Sequence, residues 1–226
     1  MPKYITPIDY TIYEKEVSAM YNSATSIEER VLISLCWITG ARTSEILKIT
    51  QEDITYNDDF VNITIRTLKL GDRDSGRFKL RYRHLKFTRP TAPRNIYLET
   101  IIKWSERLTK PEARLIKRER RWVTRRLNVI GERVLNKPVT PYHFRHSVCT
   151  QLAMNGASIP EIMYFKGAIS LNGVTPYIHA KPMMFKLESF NREKGLILGN
   201  ENGGNLIKVS KEELQAYLKE KDEENN

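Results

Sequence analysis

The chain has 226 residues and a mass of 26.4 kDa, room for one large or two small domains with a sizeable core. Hydrophobic residues make up 40% of it and charged residues 28%, a balance that excludes a wholly disordered chain and a membrane bundle. The net charge is +10 and it is concentrated: residues 66–94 hold ten Lys and Arg against two Asp, and residues 103–137 hold twelve against four Glu, which leaves the remainder net acidic. Two basic blocks with Tyr82, Tyr97, Trp104 and Trp122 among them are the footprint of a surface that tracks phosphates, although solvated helix faces are often basic as well.

In chain order, the opening MPKYITPIDY lacks the apolar core of a secretory signal. Ser26-Ile27-Glu28-Glu29 is a capping box that opens a helix with Val31, Leu32, Leu35, Cys36 and Trp37 on one face, and Gly40 ends it. The apolar stretch 31–41 is too short to span a bilayer. A second helix starts near Thr43 and Ser44. Residues 61–70 (VNITIRTLKL), 78–86 (FKLRYRHLK) and 95–98 alternate as strands do, with turns at 71–76 (GDRDSG) and 88–93 (TRPTAP) between them. From about residue 101 the pattern is helical again, and Thr140-Pro141, Ser158-Ile159-Pro160-Glu161 and Thr175-Pro176 each read as an N-cap followed by an early-helix proline. Cys36 and Cys149 lie in apolar helical patterns, away from disulfide or metal spacing, as expected in a reducing cytoplasm. The expected fold class is mainly α with a small antiparallel β-sheet. Residues 1–190 read as one domain, and 191–226 as a Gly/Asn-rich linker (GNENGGN) followed by a charged helix capped at 210–213.

Three short boxes in fixed order carry the functional reading. Thr39-Gly-Ala-Arg-Thr-Ser-Glu-Ile-Leu47 puts Arg42 in the turn between two helices. Thr140-Pro-Tyr-His-Phe-Arg-His-Ser147 puts Arg145 in the first turns of a helix, and Thr175-Pro-Tyr-Ile-His179 puts Tyr177 at the start of a short one. Together they resemble the catalytic domain of the tyrosine recombinases, the phage-integrase and Xer-like family, over roughly residues 7–185. The resemblance implies site-specific cleavage and rejoining of DNA through a 3′-phosphotyrosyl intermediate. Tyr177 is then the nucleophile, Arg42 and Arg145 the phosphate clamps, and a lysine of the β-hairpin the general acid. It also implies an integrase of a mobile element that acts on double-stranded DNA at an attachment site and self-associates there as a tetramer. The N-terminal core-binding domain usual in the family is expected to be absent, since the first box arrives at Arg42.

The chemistry of the residues agrees. Attack of a phenol on phosphorus needs cations on the non-bridging oxygens, and arginine offers a planar fork that stays charged. The departing 5′-oxygen needs a proton. Lys86 is preferred because residues 86–98 look like the family's lysine, turn and R-x-I-x-L strand, which makes GDRDSG an inserted hairpin; Lys69 is the alternative. No metal or cofactor is expected, because the histidines lack ligand spacing. Glu45 reads as a brace for the Arg42 turn, and the DNA contacts are assigned to Arg81, Arg83, Arg118, Arg121 and Arg125.

Two positions depart from the family pattern. Tyr142 stands three residues before Arg145, where the family has histidine, and His143 lies about 100° further around the helix. Ala168 stands nine residues before Tyr177, where the family has His or Trp. Tyr142 can donate a hydrogen bond to phosphate but is a poor proton acceptor at neutral pH, whereas Ala168 donates nothing and Lys166 is the nearest substitute. A tyrosine at the first position is similar to integrases of archaeal plasmids and viruses. The alternatives are strand cleavage and resealing like that of a type IB topoisomerase, and a catalytically silent DNA-binding protein on the same fold.

Overall fold

The computed structural model describes residues 11–67, 81–89, 95–168, 170–178, 196–198 and 207–209, and the chain divides into two units, Met1–Lys181 and Pro182–Asn226. In the first unit α1 (Glu14–Ser23) leads into α2 (Ile27–Thr39), which starts where its capping residue predicts. Ser26 Oγ accepts the Glu29 N–H at 3.2 Å, while the Glu29 carboxylate turns back to the Thr25 N–H at 2.8 Å. Gly40 stops the helix in the left-handed region, φ 53°, and its N–H donates to the Cys36 carbonyl at 3.1 Å. Ile33, Ser34 and Ile38 are buried along with Val31, Leu32, Leu35 and Cys36, whereas Trp37 is only partly so. A helix that is apolar on nearly every side belongs in the centre. It packs there against α1, α4 (Ile96–Ser105) and α6 (Pro141–Met154).

The sheet has three antiparallel strands in the order β1 (Ile54–Tyr56), β2 (Phe60–Thr67) and β3 (Arg81–Thr88). Val61, Ile63 and Ile65 of β2 alternate inward, and Leu85 and Arg83 of β3 stand opposite Ile63 and Ile65 on the same buried face. The short β1 escapes sequence reading because three residues are too few to show alternation. The strand expected at 95–98 is instead the start of α4. Asn95 Oδ1 accepts the N–H groups of Tyr97 at 3.0 Å and Leu98 at 3.3 Å, and this cap outweighs the apolar alternation.

The remaining helices are α3 (Thr43–Ile46), α5 (Arg120–Leu135), α7 (Ile159–Lys166) and α8 (Thr175–Ile178). Pro141 and Pro160 lie in first turns behind the caps Thr140 and Ser158, while Thr175 is itself the first residue of α8. Cys149, Ala153, Ile162, Val174 and Tyr177 form a small second core under α7 and α8. No helix among the described residues is long and apolar enough to cross a membrane.

In the second unit β4 (Leu196–Leu198) pairs antiparallel with β5 (Ile207–Val209). The Gly/Asn-rich residues between these two strands lie outside the described residues. The helix expected from 210 onward lies outside the described residues, as does the 71–76 turn.

Gly131 gives the packing a direct test. A glycine inside an exposed helix is ordinarily about 1 kcal/mol worse than alanine. A Cβ here, however, would lie 2.7 Å from Val139 Cγ2 and 2.8 Å from the Lys137 carbonyl oxygen. Gly131→Ala is therefore expected to lower stability by about 1–3 kcal/mol in urea denaturation. A gain would contradict the close approach of the 137–139 segment to α5.

Candidate active site

Arg42 is the residue that caps α3, delivered there by the left-handed turn at Gly40. Its N–H donates to Glu45 Oε2 at 2.8 Å and its Nη1 to Glu45 Oε1 at 2.9 Å, with the side chain 39% exposed. Glu45 is 1% exposed and also receives Arg83 Nη2 at 2.8 Å through Oε2. The carboxylate therefore braces the Arg42 turn as the sequence predicts, and shares its charge with a second, buried guanidinium.

Arg145 enters from the second turn of α6, 6% exposed. Its Nη1 donates to the Gly40 carbonyl at 2.7 Å and its Nη2 to the Lys166 carbonyl, so it joins the first box to the end of α7. Burial, with Arg42 nearby, pulls its pKa down to about 10. Burial likewise pulls Arg83 down, against the opposing pull of Glu45. Buried cations whose charged form is under strain are receptive to an anion. Arg145 borders a cavity of about 250 Å³ that Arg42, Thr43, Ser44, Arg120 and Tyr142 also line, with Glu45 its single lining carboxylate among the described residues; Arg83 lies behind Glu45 and does not line it. Arg120 is a pocket residue that sequence reading missed, because the fold alone brings the start of α5 beside the first two boxes.

Tyr142 is 57% exposed, and its ring stacks on His146 one turn along α6 at a centroid distance of 6.0 Å. His146 Nδ1 in turn lies 3.0 Å from Tyr177 Oη, the donor depending on the imidazole tautomer. Tyr177 is 2% exposed, does not line the cavity, and burial pushes its pKa up. Lys166 Nζ is 3.5 Å from the same oxygen and also donates to the Gly173 carbonyl; burial, with Arg145 and Arg42 nearby, pulls its pKa down. Lys166 thus reaches the phenol that Ala168, packed into the second core, cannot serve. His143 is occupied elsewhere: its Nδ1 accepts the Thr140 N–H at 3.1 Å, so it closes the start of α6.

Three expectations change. Lys86 is not brought to the arginines: it faces away from the buried side of β3 that carries Arg83 and Leu85, and its Nζ sits 3.8 Å from the centroid of the Phe60 ring. The cause is phase: β2 and β3 pair as a hairpin around the GDRDSG segment, but residue 86 alternates out of step with 83 and 85, and the R-x-I-x-L strand expected to follow it begins α4 instead. Lys69 and the Arg81 side chain lie outside the described residues, as does His179. Arg83 is no surface contact either, being 3% exposed. Its phase was legible, since residues 83, 85 and 87 alternate together and Leu85 and Phe87 are apolar. On the α5 side, Arg118 is paired with Glu28 (Nη2 to Oε2 2.8 Å) and lies 5.1 Å over the Trp122 ring, whereas Arg121 and Arg125 border an open groove with Arg120, Thr124 and Asn128.

The tyrosine recombinase XerD of Staphylococcus saprophyticus subsp. saprophyticus is 23% identical over 188 residues, covering 79% of this chain and 60% of its own. This chain thus spans about three fifths of that relative's length. The fold matches the crystal structure of XerA recombinase with a TM-score of 0.60 at 18% identity, over 79% of this chain and 64% of that one. It also matches XerH site-specific recombinase bound to its difH substrate, with a TM-score of 0.56 at 18% identity, over 74% of this chain and 50% of that one. The fold is accordingly that of a tyrosine recombinase catalytic domain. The sequence model of the phage integrase family matches residues 11–183, which contain all three boxes and every residue around the cavity, and the chain belongs to that family.

Proposed function

We propose that this chain is the strand-transfer domain of a site-specific DNA recombinase, an integrase of a mobile element that cleaves and rejoins double-stranded DNA without ATP. The observation that supports this best is the convergence of Arg42 and Arg145 on one cavity whose lining is net positive. A phosphodiester placed there would receive guanidinium forks on its non-bridging oxygens, where charge grows in the transition state. Tyr142 at the cavity wall is an accessory donor. Tyr177 forms a bond to phosphorus as the bond to the 5′-oxygen breaks, and the phosphotyrosine ester conserves the energy for resealing.

The buried phenol has to leave His146 and Lys166 to reach phosphate, and its carrier α8 is only four residues long and rests on the small second core. Strand exchange joins more than one DNA end, so the reading includes self-association on DNA. The complex of XerH with its difH substrate supports DNA as the partner by analogy of fold. The general acid in this reading is Lys69, two residues beyond β2; the outward position of Lys86 argues against it.

Tyr177→Phe should abolish covalent protein–DNA adducts on a nicked duplex chosen from a random pool by tightest binding, with affinity within about twofold, since only a hydroxyl is lost. Undiminished adduct in that variant would overturn the assignment, while DNA binding with no adduct in the parent would favour a silent binder, and supercoil relaxation without recombinants a topoisomerase-like activity. Arg42→Ala, half-exposed and so tolerated by the fold, should slow adduct formation by about 10² to 10³.

DNA affinity should fall with salt at a log–log slope of about −0.9 per phosphate contacted. Arg121→Ala and Arg125→Ala together should flatten it by up to about 2 units, while Arg118→Ala, already paired with Glu28, should change it by less than about 0.5. Equal effects from all three would contradict the groove as the DNA face.

Lys69→Ala should fail on ordinary DNA and recover on a duplex with sulfur at the 5′ bridging position, because a thiolate leaves without a proton. Lys86→Ala should match the parent on both. Sulfur rescue of Lys86→Ala alone would return the general acid to Lys86.

A further inference from the structure

Arg83 spans three elements with one buried side chain. Its Nε donates to Thr67 Oγ1 on β2 at 3.2 Å, its Nη2 to Glu45 on α3 at 2.8 Å, and its Nη1 to the Phe165 carbonyl near the end of α7. The guanidinium fits because the next turn has no side chain: Gly167 is left-handed at φ 62°, and a Cβ there would lie 2.8 Å from Arg83 Nε. Each of the three anchors adjoins a part of the proposed site. Glu45 holds Arg42, Thr67 ends the strand that leads to Lys69, and Phe165 precedes the Lys166 whose carbonyl receives Arg145.

Burying an arginine costs solvation that the pairing has to offset, so its retention in a core calls for a reason beyond packing. The division of Glu45 supplies one. A carboxylate facing a lone arginine closes a two-point fork with it. Here Oε2 is taken by Arg83 and by the Arg42 N–H, which leaves only Oε1, and a single Nη1 contact, for the Arg42 side chain. The Arg42 side chain, held to Glu45 by that one contact, lines the cavity.

We propose that Arg83 is a positioning residue for strand transfer: by holding one oxygen of Glu45 it limits the Arg42 side chain to a single contact with that carboxylate and leaves the rest of the guanidinium for phosphate. This rests on the strand-transfer reading. A lysine at 83 keeps the charge and cannot reach three separated acceptors at once, so Arg83→Lys is the informative variant.

The test is a double-mutant cycle of Arg83→Lys and Arg42→Ala in the full chain, read as single-turnover adduct rate at saturating DNA and as affinity for inorganic phosphate. Arg83→Lys should slow adduct formation by about 10- to 100-fold, with DNA affinity within about twofold, the scale expected of a misplaced catalytic group. It should weaken phosphate binding by about tenfold, and in the Arg42→Ala background both effects should vanish, because the two residues act as one unit. Equal losses in both backgrounds would mean that Arg83 only holds the fold together, and parent-like rates would remove its role altogether. If the parent forms no adduct, the strand-transfer reading fails while the phosphate cycle still decides for or against Arg83. If Arg83→Lys melts below the assay temperature, Thr67→Val, which removes one of its acceptors, carries the same cycle with the same criteria.

Discussion

One buried carboxylate organises the centre of this molecule. Glu45 is almost completely enclosed, and an isolated charge there would be untenable. It is stable because Arg42 and Arg83 approach its two oxygens from different sides and the Arg42 N–H completes the set. That arrangement fixes the α2–α3 turn against the sheet. Arg145 then closes the structure from the opposite side by holding the carbonyls of Gly40 and Lys166, so the turn, the sheet and the end of α7 meet at a single point. The positive charge that remains uncompensated there is the property from which the phosphate-binding reading follows.

Much of this was legible in the residues. Ser26 and Gly40 bound α2, the proline-bearing caps begin α6 and α7, and the alternation of 61–67 gives the buried face of β2, because caps and periodicity are local signals. The first two boxes announce the arginines that share the cavity. What was not legible is set by tertiary register. Residues 95–98 carry a strand-like pattern, yet Asn95 caps a helix, and the strand of Lys86 pairs with β2 as a hairpin, yet its phase puts Lys86 on the face away from Arg83 and Leu85. Arg83 reads as one more member of a basic block until its phase with Leu85 and Phe87 is noticed, and Arg120 becomes a pocket residue only once α5 is folded beside α6.

The departures from the family pattern acquire a physical meaning in the structure. Ala168 packs against a small apolar core, where its side chain offers no donor, and His146 and Lys166 lie within hydrogen-bond reach of the Tyr177 oxygen instead. Both hold the phenol away from the cavity, and burial disfavours its ionisation. Tyr177 sits on a four-residue helix over a small second core, so releasing it, as the proposed reaction requires, uncovers few apolar side chains. Seclusion and readiness to move are thus two consequences of the same thin packing.

If the chemistry passes through Tyr177, as proposed, the site of covalent attachment to DNA reveals it. Adducts trapped on nicked DNA would be digested with nuclease and trypsin and sequenced by mass spectrometry. A single modified fragment is expected, the one that begins at Gly167 after Lys166, with the nucleotide on Tyr177. A nucleotide on Tyr142 or Tyr164, or spread over several tyrosines, would contradict it.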